Sequence, residues 1–303
     1  MPSVTVATTH PDSIDIEYDT FGSPSDPTLL LVMGFTAQLI AWDEEFCQRL
    51  ASRGRHVVRF DNRDCGLSTH LDGQQVNPMA VMQALLNGEP APPVPYDLSD
   101  MANDAFGLLD ALGIEQAHIL GASMGGMIVQ TMAIERPERV LSLVSVMSSP
   151  GDPRTGKPTP EARDVLLAPP PTERAAAIEA AAAAAVWASR RYVDPAKLRD
   201  RAARSFDRAH YPEGAPRQLA AIYASGDRSE QLRRLTVPTL VIHGRDDTLI
   251  QPDGATMTAE AIPEANLLLL AHMGHDLPQP LWPVIVDAVI SHQNHAVTTA
   301  RKD

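Results

Sequence analysis

The chain has 303 residues, with 25 Lys and Arg against 38 Asp and Glu, a formal net charge of −13 with histidine neutral. That length suits one large domain with an insertion, or two small domains, and is enough to bury a substantial core. The acidic balance argues against sequence-independent nucleic-acid binding, and no polybasic run is present to hold the chain on an anionic membrane.

Val4 to Ala7 and Ile14 to Tyr18 read as two short strands separated by the turn cluster His10-Pro11-Asp12-Ser13, a hairpin at a sheet edge. The continuous apolar run Thr28 to Gly34 suits a central strand covered on both faces. A helix is predicted from Trp42 to Arg53, stopped by Gly54, and a second buried strand from His56 to Phe60. Residues 71–98, with four prolines between 90 and 95, read as loop. A helix from Ser99 to Leu112 follows, with Ser99 as its cap and Met101, Ala105, Leu108 and Leu112 at helical spacing. Val140 to Met147 is another strand. The alternation predicts a mostly parallel sheet with helices on both faces.

From Ser149 to about Arg233 strand signal fades. Helices are expected over Glu173 to Arg191, Pro195 to Arg208 and Gln218 to Ala224, a helical cap inserted between strands. The alternating pattern resumes with a strand at Val237 to Gly244, a helix at Thr256 to Ala261, a strand at Asn266 to Leu270 and a helix at Leu281 to His292. The polar tail from Ala296 to Asp303 is expected to fray. The implied division is a core of residues 1–148 and 234–303 with a cap of residues 149–233.

Gly121-Ala122-Ser123-Met124-Gly125 reads G-x-S-x-G between an apolar run, Ala117 to Leu120, and a helix-competent run, Met127 to Ile134. A serine hydroxyl is a poor nucleophile. It must be thrust from the backbone towards a base, beside N–H groups that hold an oxyanion, and a tight strand-to-helix turn does this. The plain alternative is a glycine-rich turn with Ser123 as a helix cap. A base and an orienting acid are sought in loops after strands. Two loops qualify, Gly244-Arg245-Asp246-Asp247-Thr248 and Ala271-His272-Met273-Gly274-His275-Asp276. Asp61, Arg63 and Asp64, in the turn Asp61-Asn62-Arg63-Asp64-Cys65-Gly66-Leu67-Ser68, are read as a structural set that satisfies its own backbone and buttresses the elbow. Cys47 and Cys65 are outside any C-x-x-C spacing and point to reduced thiols. No H-E-x-x-H spacing occurs, so no metal is expected. Met1 to His10 lacks signal-peptide character and no apolar segment approaches membrane-spanning length, which favours a cytoplasmic protein without stable membrane insertion.

Together with Leu31-Val32-Met33-Gly34, the Asp61–Ser68 turn, the elbow, His243-Gly244-Arg245-Asp246-Asp247 and Gly274-His275, the chain resembles α/β-hydrolase-fold serine hydrolases over its whole length, and within them the aclacinomycin methylesterase-like branch. The resemblance implies an α/β-hydrolase fold with Ser123 as nucleophile, Asp247 as orienting acid and His275 as general base. Asp246 and His272 are the competing residues, and His243 is structural. It implies an oxyanion hole from the Met124 and Phe35 amides, although Met33 stands where many members carry histidine. Phe35, Met124 and Trp187 are expected to line the substrate pocket, with Tyr192, Phe206, Tyr211 and Tyr223 available from the cap. The expected activity is cofactor-free hydrolysis of a small-molecule carboxylic ester, such as a methyl ester or small apolar ester, through an acyl-enzyme. Perhydrolysis or thioester hydrolysis on the same triad, and a ligand receptor with slow turnover, are the alternatives. The sequence sets no oligomeric state.

Overall fold

The eight strands of the sheet are β1 (Ser3–Ala7), β2 (Ser13–Phe21), β3 (Thr28–Val32), β4 (His56–Phe60), β5 (Ala117–Ala122), β6 (Val140–Val146), β7 (Thr239–Gly244) and β8 (Asn266–Leu270). They lie in the order β1-β2-β4-β3-β5-β6-β7-β8. The first two pairings, β1 with β2 and β2 with β4, are antiparallel, and every later pairing is parallel. This is an α/β-hydrolase architecture. The computed structural model describes residues 1–8 and 13–300, with side chains through Ala296. Three residues of the expected turn at His10 to Ser13 therefore lie outside the described residues, as does the end of the tail, 301–303.

The continuous apolar character of β3 has the predicted cause. Leu30 and Val32 pack into one core with helices α3 (Leu98–Ala111) and α4 (Met124–Glu135). Leu29 and Leu31 point the other way, into a second core with α1 (Glu44–Ala51) and α11 (Trp282–Ala300). All five β3 residues are buried. Side chains alternate across a strand, so a strand covered on both faces must be apolar at every position.

Several boundaries differ from the sequence reading. The span 71–98 contains a helix, α2 (Pro78–Asn87). Asn77 caps it through Met79 and Ala80 N–H, Pro78 starts it and Gly88, left-handed at φ 69°, ends it. The cap of α3 is Asp97, not Ser99. Its carboxylate accepts from Ser99 and Asp100 N–H while Asp100 reaches back, a reciprocal pair that a lone serine cannot supply. The first predicted helix begins at Glu44, after a short turn at Leu39–Ala41, because Asp43 caps it. The last helix passes His292 and runs to Ala300, so the tail does not fray from Ala296. Arg55 donates to Gln293 Oε1 and Asn294 Oδ1, each at 2.6 Å, and this tertiary hold carries the helix onward.

Between β6 and β7 lie α5 (Pro160–Leu166), α6 (Arg174–Ala183), α7 (Pro195–Arg208), α8 (Ala215–Ser225) and α9 (Ser229–Leu232). The alanine-rich helix is shorter than predicted. It gives way to a 3-10 turn at Ala184–Val186 and ends before Trp187, leaving that ring and its carbonyl for tertiary contacts. Helix α10 (Pro252–Ala261) joins β7 to β8. Among the described residues, no helix is long and apolar enough to cross a membrane.

The turn after β4 is a hub rather than a self-contained loop. Asp61 Oδ1 accepts from Leu39 N–H at 2.6 Å, and Oδ2 accepts from Leu67 N–H at 2.9 Å and from Arg208 at 2.7 Å. Arg63 forks onto Asp104 of α3 with two bonds of 2.6 Å. Asp64 takes a fork from Arg217 at 2.7 and 2.8 Å, and also accepts from Leu71 N–H. Asp61 and Asp64 therefore tie the sheet edge to α7 and α8. Removing one partner strands a buried charge. Arg217→Met is expected to lower unfolding free energy by about 3–5 kcal/mol, read from urea unfolding, whereas removal of the exposed Arg174–Asp207 pair should leave the urea midpoint nearly unchanged.

Candidate active site

Parallel pairing gathers the strand ends. Val32 stands opposite Gly121, Ala122 opposite Val146, Val146 opposite Ile242 and Gly244 opposite Leu270. The loops that follow β3, β5, β7 and β8 thus open on one edge of the sheet, where open α/β sheets build their sites.

Ser123 sits at the turn from β5 to α4 with φ 58° and ψ −121°. A non-glycine residue there is strained by about 1–3 kcal/mol. The surroundings hold it. Ser123 N–H donates to Val146 O at 2.9 Å, and Ser148 Oγ donates to Ser123 O at 2.9 Å. The flanking glycines are required by close packing. A Cβ on Gly121 would collide with the Gly125 carbonyl, and one on Gly125 would collide with the Val32 carbonyl. The helix can press onto the strand ends only because both side chains are missing. Ser123 makes no side-chain cap bond to its helix, which removes the N-cap alternative.

Asp247 and His275 meet across the β7 and β8 loops. His275 Nδ1 lies 2.7 Å from Asp247 Oδ2. Asp247 is buried, and its other oxygen accepts from Leu249 and Ile250 N–H at 2.8 and 3.0 Å. Burial pushes its carboxyl up, but attraction to His275 and hydrogen bonds from His243 and His275 outweigh that and hold it at about 2. An ionised carboxylate only accepts, so the proton of a neutral His275 ring is on Nδ1 and the lone pair on Nε2. Asp246 uses its N–H on Met273 O and remains partly exposed. His272 is exposed and stands edge-on to Tyr192. Neither competitor joins the pair.

His243 has more to do than its strand-end position suggested. Its Nε2 is 2.8 Å from Ile250 O and 3.3 Å from Asp247 Oδ2. A carbonyl needs a donor, so Nε2 carries the proton, and Asp247 lies between two imidazoles. Nothing in the sequence signalled this beyond the spacing of four.

A cavity of about 1090 Å³ opens over the site. Ser123 and His275 both line it, with Phe35 and Met124 beside them and Trp187 from the helical layer. Among the described residues, no acceptor engages the N–H of Phe35 or Met124. The Phe35 loop is held from the helical side: Thr36 N–H donates to Gln218 Oε1 at 2.8 Å, and Gln218 Nε2 donates to Arg63 O at 2.8 Å. Of the other aromatics, Tyr192 and Tyr223 line the cavity. Phe206 stacks on His210, and Tyr211 stacks on His70 and donates to Asp72, so both are packing residues. Cys47 and Cys65 are buried, and burial pushes both thiols up, Cys47 to about 12. Neither suits a nucleophile.

Comparison with known proteins agrees with this architecture. The chain is 26% identical to the rhodomycin D methylesterase DauP of Streptomyces sp. strain C5, over 94% of this chain and 97% of that one. In structure it is similar to a thermophilic esterase from Thermogutta terrifontis, with a TM-score of 0.70, 20% identity and coverage of 98% of this chain and 99% of that chain. It is similar also to a meta-cleavage product hydrolase from Pseudomonas fluorescens IP01, with a TM-score of 0.74, 19% identity and coverage of 97% and 98%. At those identities the structural likeness speaks to fold alone. The family described as alpha/beta hydrolase fold matches residues 27–278, and the chain belongs to it.

Proposed function

We propose that the protein hydrolyses carboxylic esters with Ser123 as nucleophile, His275 as general base and Asp247 as the acid that orients it. The observation that carries this reading is the 2.7 Å bond between His275 Nδ1 and a buried, ionised Asp247, with His275 and Ser123 lining one cavity. In this reading His275 Nε2 takes the proton of Ser123 Oγ as the oxygen attacks the carbonyl carbon. The Phe35 and Met124 N–H groups receive the oxyanion. His275 then protonates the departing alcohol, and water, activated by the same ring, releases the acid from the acyl-enzyme. Residues 149–233 act as a cap whose inner face completes the pocket. Met127, Met147, Leu219 and Ile222 give the wall beside Ser123 an apolar character suited to an acyl or alcohol group. The methylesterase relatives make methyl esters the first substrates to assay.

A fluorophosphonate probe is expected to label Ser123 alone, by peptide mapping. Ser123→Ala should lose the label and at least about 10⁴-fold of kcat on methyl and short p-nitrophenyl esters. Equal rates in the two proteins would overturn the serine mechanism.

Asp247→Asn should lower kcat by about 10³–10⁴-fold, because the amide no longer fixes the ring tautomer. Its pH signature is separate. A carboxyl held below its ordinary 3.8 contributes stability that is complete above that value and is lost as pH falls through about 2. The gap in unfolding free energy between wild type and Asp247→Asn should be flat at neutral pH and close across that acid window in stepped urea titrations.

Gln218→Ala removes the acceptor that holds the Phe35 loop. Steady-state kinetics should show kcat reduced about 10- to 100-fold with little change in KM, the pattern for a misplaced oxyanion donor. A change confined to KM would place Gln218 in substrate binding instead.

A further inference from the structure

The wall of the cavity also carries charged side chains. Helix α7 sends Lys197, Arg201 and Arg204 to it, three residues spaced to share one face of a helix. Asp43, Asp200 and Asp276 line the same cavity. Nearly all of these charges are already engaged. Arg204 donates to Asp200 Oδ2 at 3.0 Å, and Lys197 to Gln279 Oε1 at 3.1 Å. Asp43 accepts from Glu45 N–H, and Asp276 from the N–H groups of Ser189 and Gly274. Glu45, also on the wall, is paired with Arg49. Asp194 caps α7 through Ala196 and Lys197 N–H. Arg201 is the exception. Among the described residues its guanidinium has no hydrogen bond and no ion pair.

Arg201 is also in an unusual place. Its surface is exposed to the solvent-filled cavity, yet desolvation by the surrounding protein lowers its pKa, with Asp276 and Asp43 pulling the other way and Arg204 adding to the fall. Arg201 lines the same cavity as Ser123 and His275. Arginine remains cationic at neutral pH there. A guanidinium on the cavity wall with no hydrogen-bond or ion-pair partner keeps its donors free for an anion carried by a bound molecule.

We propose that Arg201 binds a carboxylate of the substrate, so that the ester hydrolysed at Ser123 is one whose molecule carries a free acid group away from the scissile bond. This rests on the ester-hydrolase reading above. The planar fork of Arg201 matches a carboxylate with two parallel bonds. A singly charged group fits better than a phosphate, because Asp43 and Asp276 act on Arg201 from nearby on the same cavity wall and repel a second negative charge.

The test compares monomethyl glutarate, adipate and suberate with methyl esters of monocarboxylic acids of matching length. In wild type, kcat/KM should favour the half-esters about 10- to 100-fold, the range for a hydrogen-bonded charge pair, with the difference mainly in KM. In Arg201→Gln that ratio should collapse to near one, and Arg201→Lys should retain part of it. Thermal unfolding of both variants is expected to match wild type, since Arg201 holds no protein partner. A wild-type ratio near one, or a ratio unchanged in Arg201→Gln, overturns the proposal. Binding to Ser123→Ala by calorimetry decides the matter independently of turnover. If wild type hydrolyses no ester, the function above fails, yet half-ester binding lost in Ser123→Ala/Arg201→Gln still supports Arg201. Equal binding by the two proteins overturns it.

Discussion

One carboxylate organises the mouth of the sheet. Asp61 is fully buried and accepts three hydrogen bonds, from the loop after β3, from its own turn after β4 and from Arg208 at the end of α7. A buried charge is tolerable only when it is paired and hydrogen-bonded, so its donors are compelled to converge. Three segments far apart in sequence are thereby set against one another. Gln38 reinforces the junction by donating to the carbonyls of Ser205 and Ala209 and accepting from Arg208. The loop that carries Phe35 is consequently fixed from below by the sheet and from above by the helical layer.

The elbow draws its shape from the same logic of close approach. Strain at Ser123 persists because the chain on both sides is over-determined, with α4 seated on the carbonyl ends of β3 and β5. The three loops then need no further instruction to meet. Parallel registers of β3, β5, β6, β7 and β8 bring their ends to one edge, and the Asp247–His275 bond closes across the last two. Geometry at the site is thus a property of strand register more than of any loop conformation.

What the amino-acid order reveals follows from range. The elbow glycines, the apolar run of β3 and the acid and histidine after β7 and β8 are local signals, and each was legible where it stood. The Asp97 cap was legible too, since Asp97 and Asp100 form the reciprocal spacing, but Ser99 drew the reading one turn inward. Helix α2 carried its own punctuation in Asn77-Pro78 and Gly88, obscured by the prolines that follow. Long-range pairing was not legible. Asp61, Arg63 and Asp64 look self-sufficient in sequence, yet their partners lie 147, 41 and 153 residues away. Arg201 shares its helix with four other basic residues, Lys197, Arg199, Arg204 and Arg208, and among the described residues only its lack of a hydrogen-bond partner distinguishes it.

The stretch Trp187 to Ser189 is tied to the histidine loop by three bonds. His275 N–H donates to Trp187 O at 2.6 Å, Ser189 N–H donates to Asp276 Oδ1 at 3.0 Å, and Ser189 Oγ donates to His272 O. A hinged cap that swung away as one piece would drag the His275 backbone with it. Helix α6, just before this stretch, buries none of its residues. By those three bonds the backbone of the His275 loop and the first residues after α6 are held as one unit.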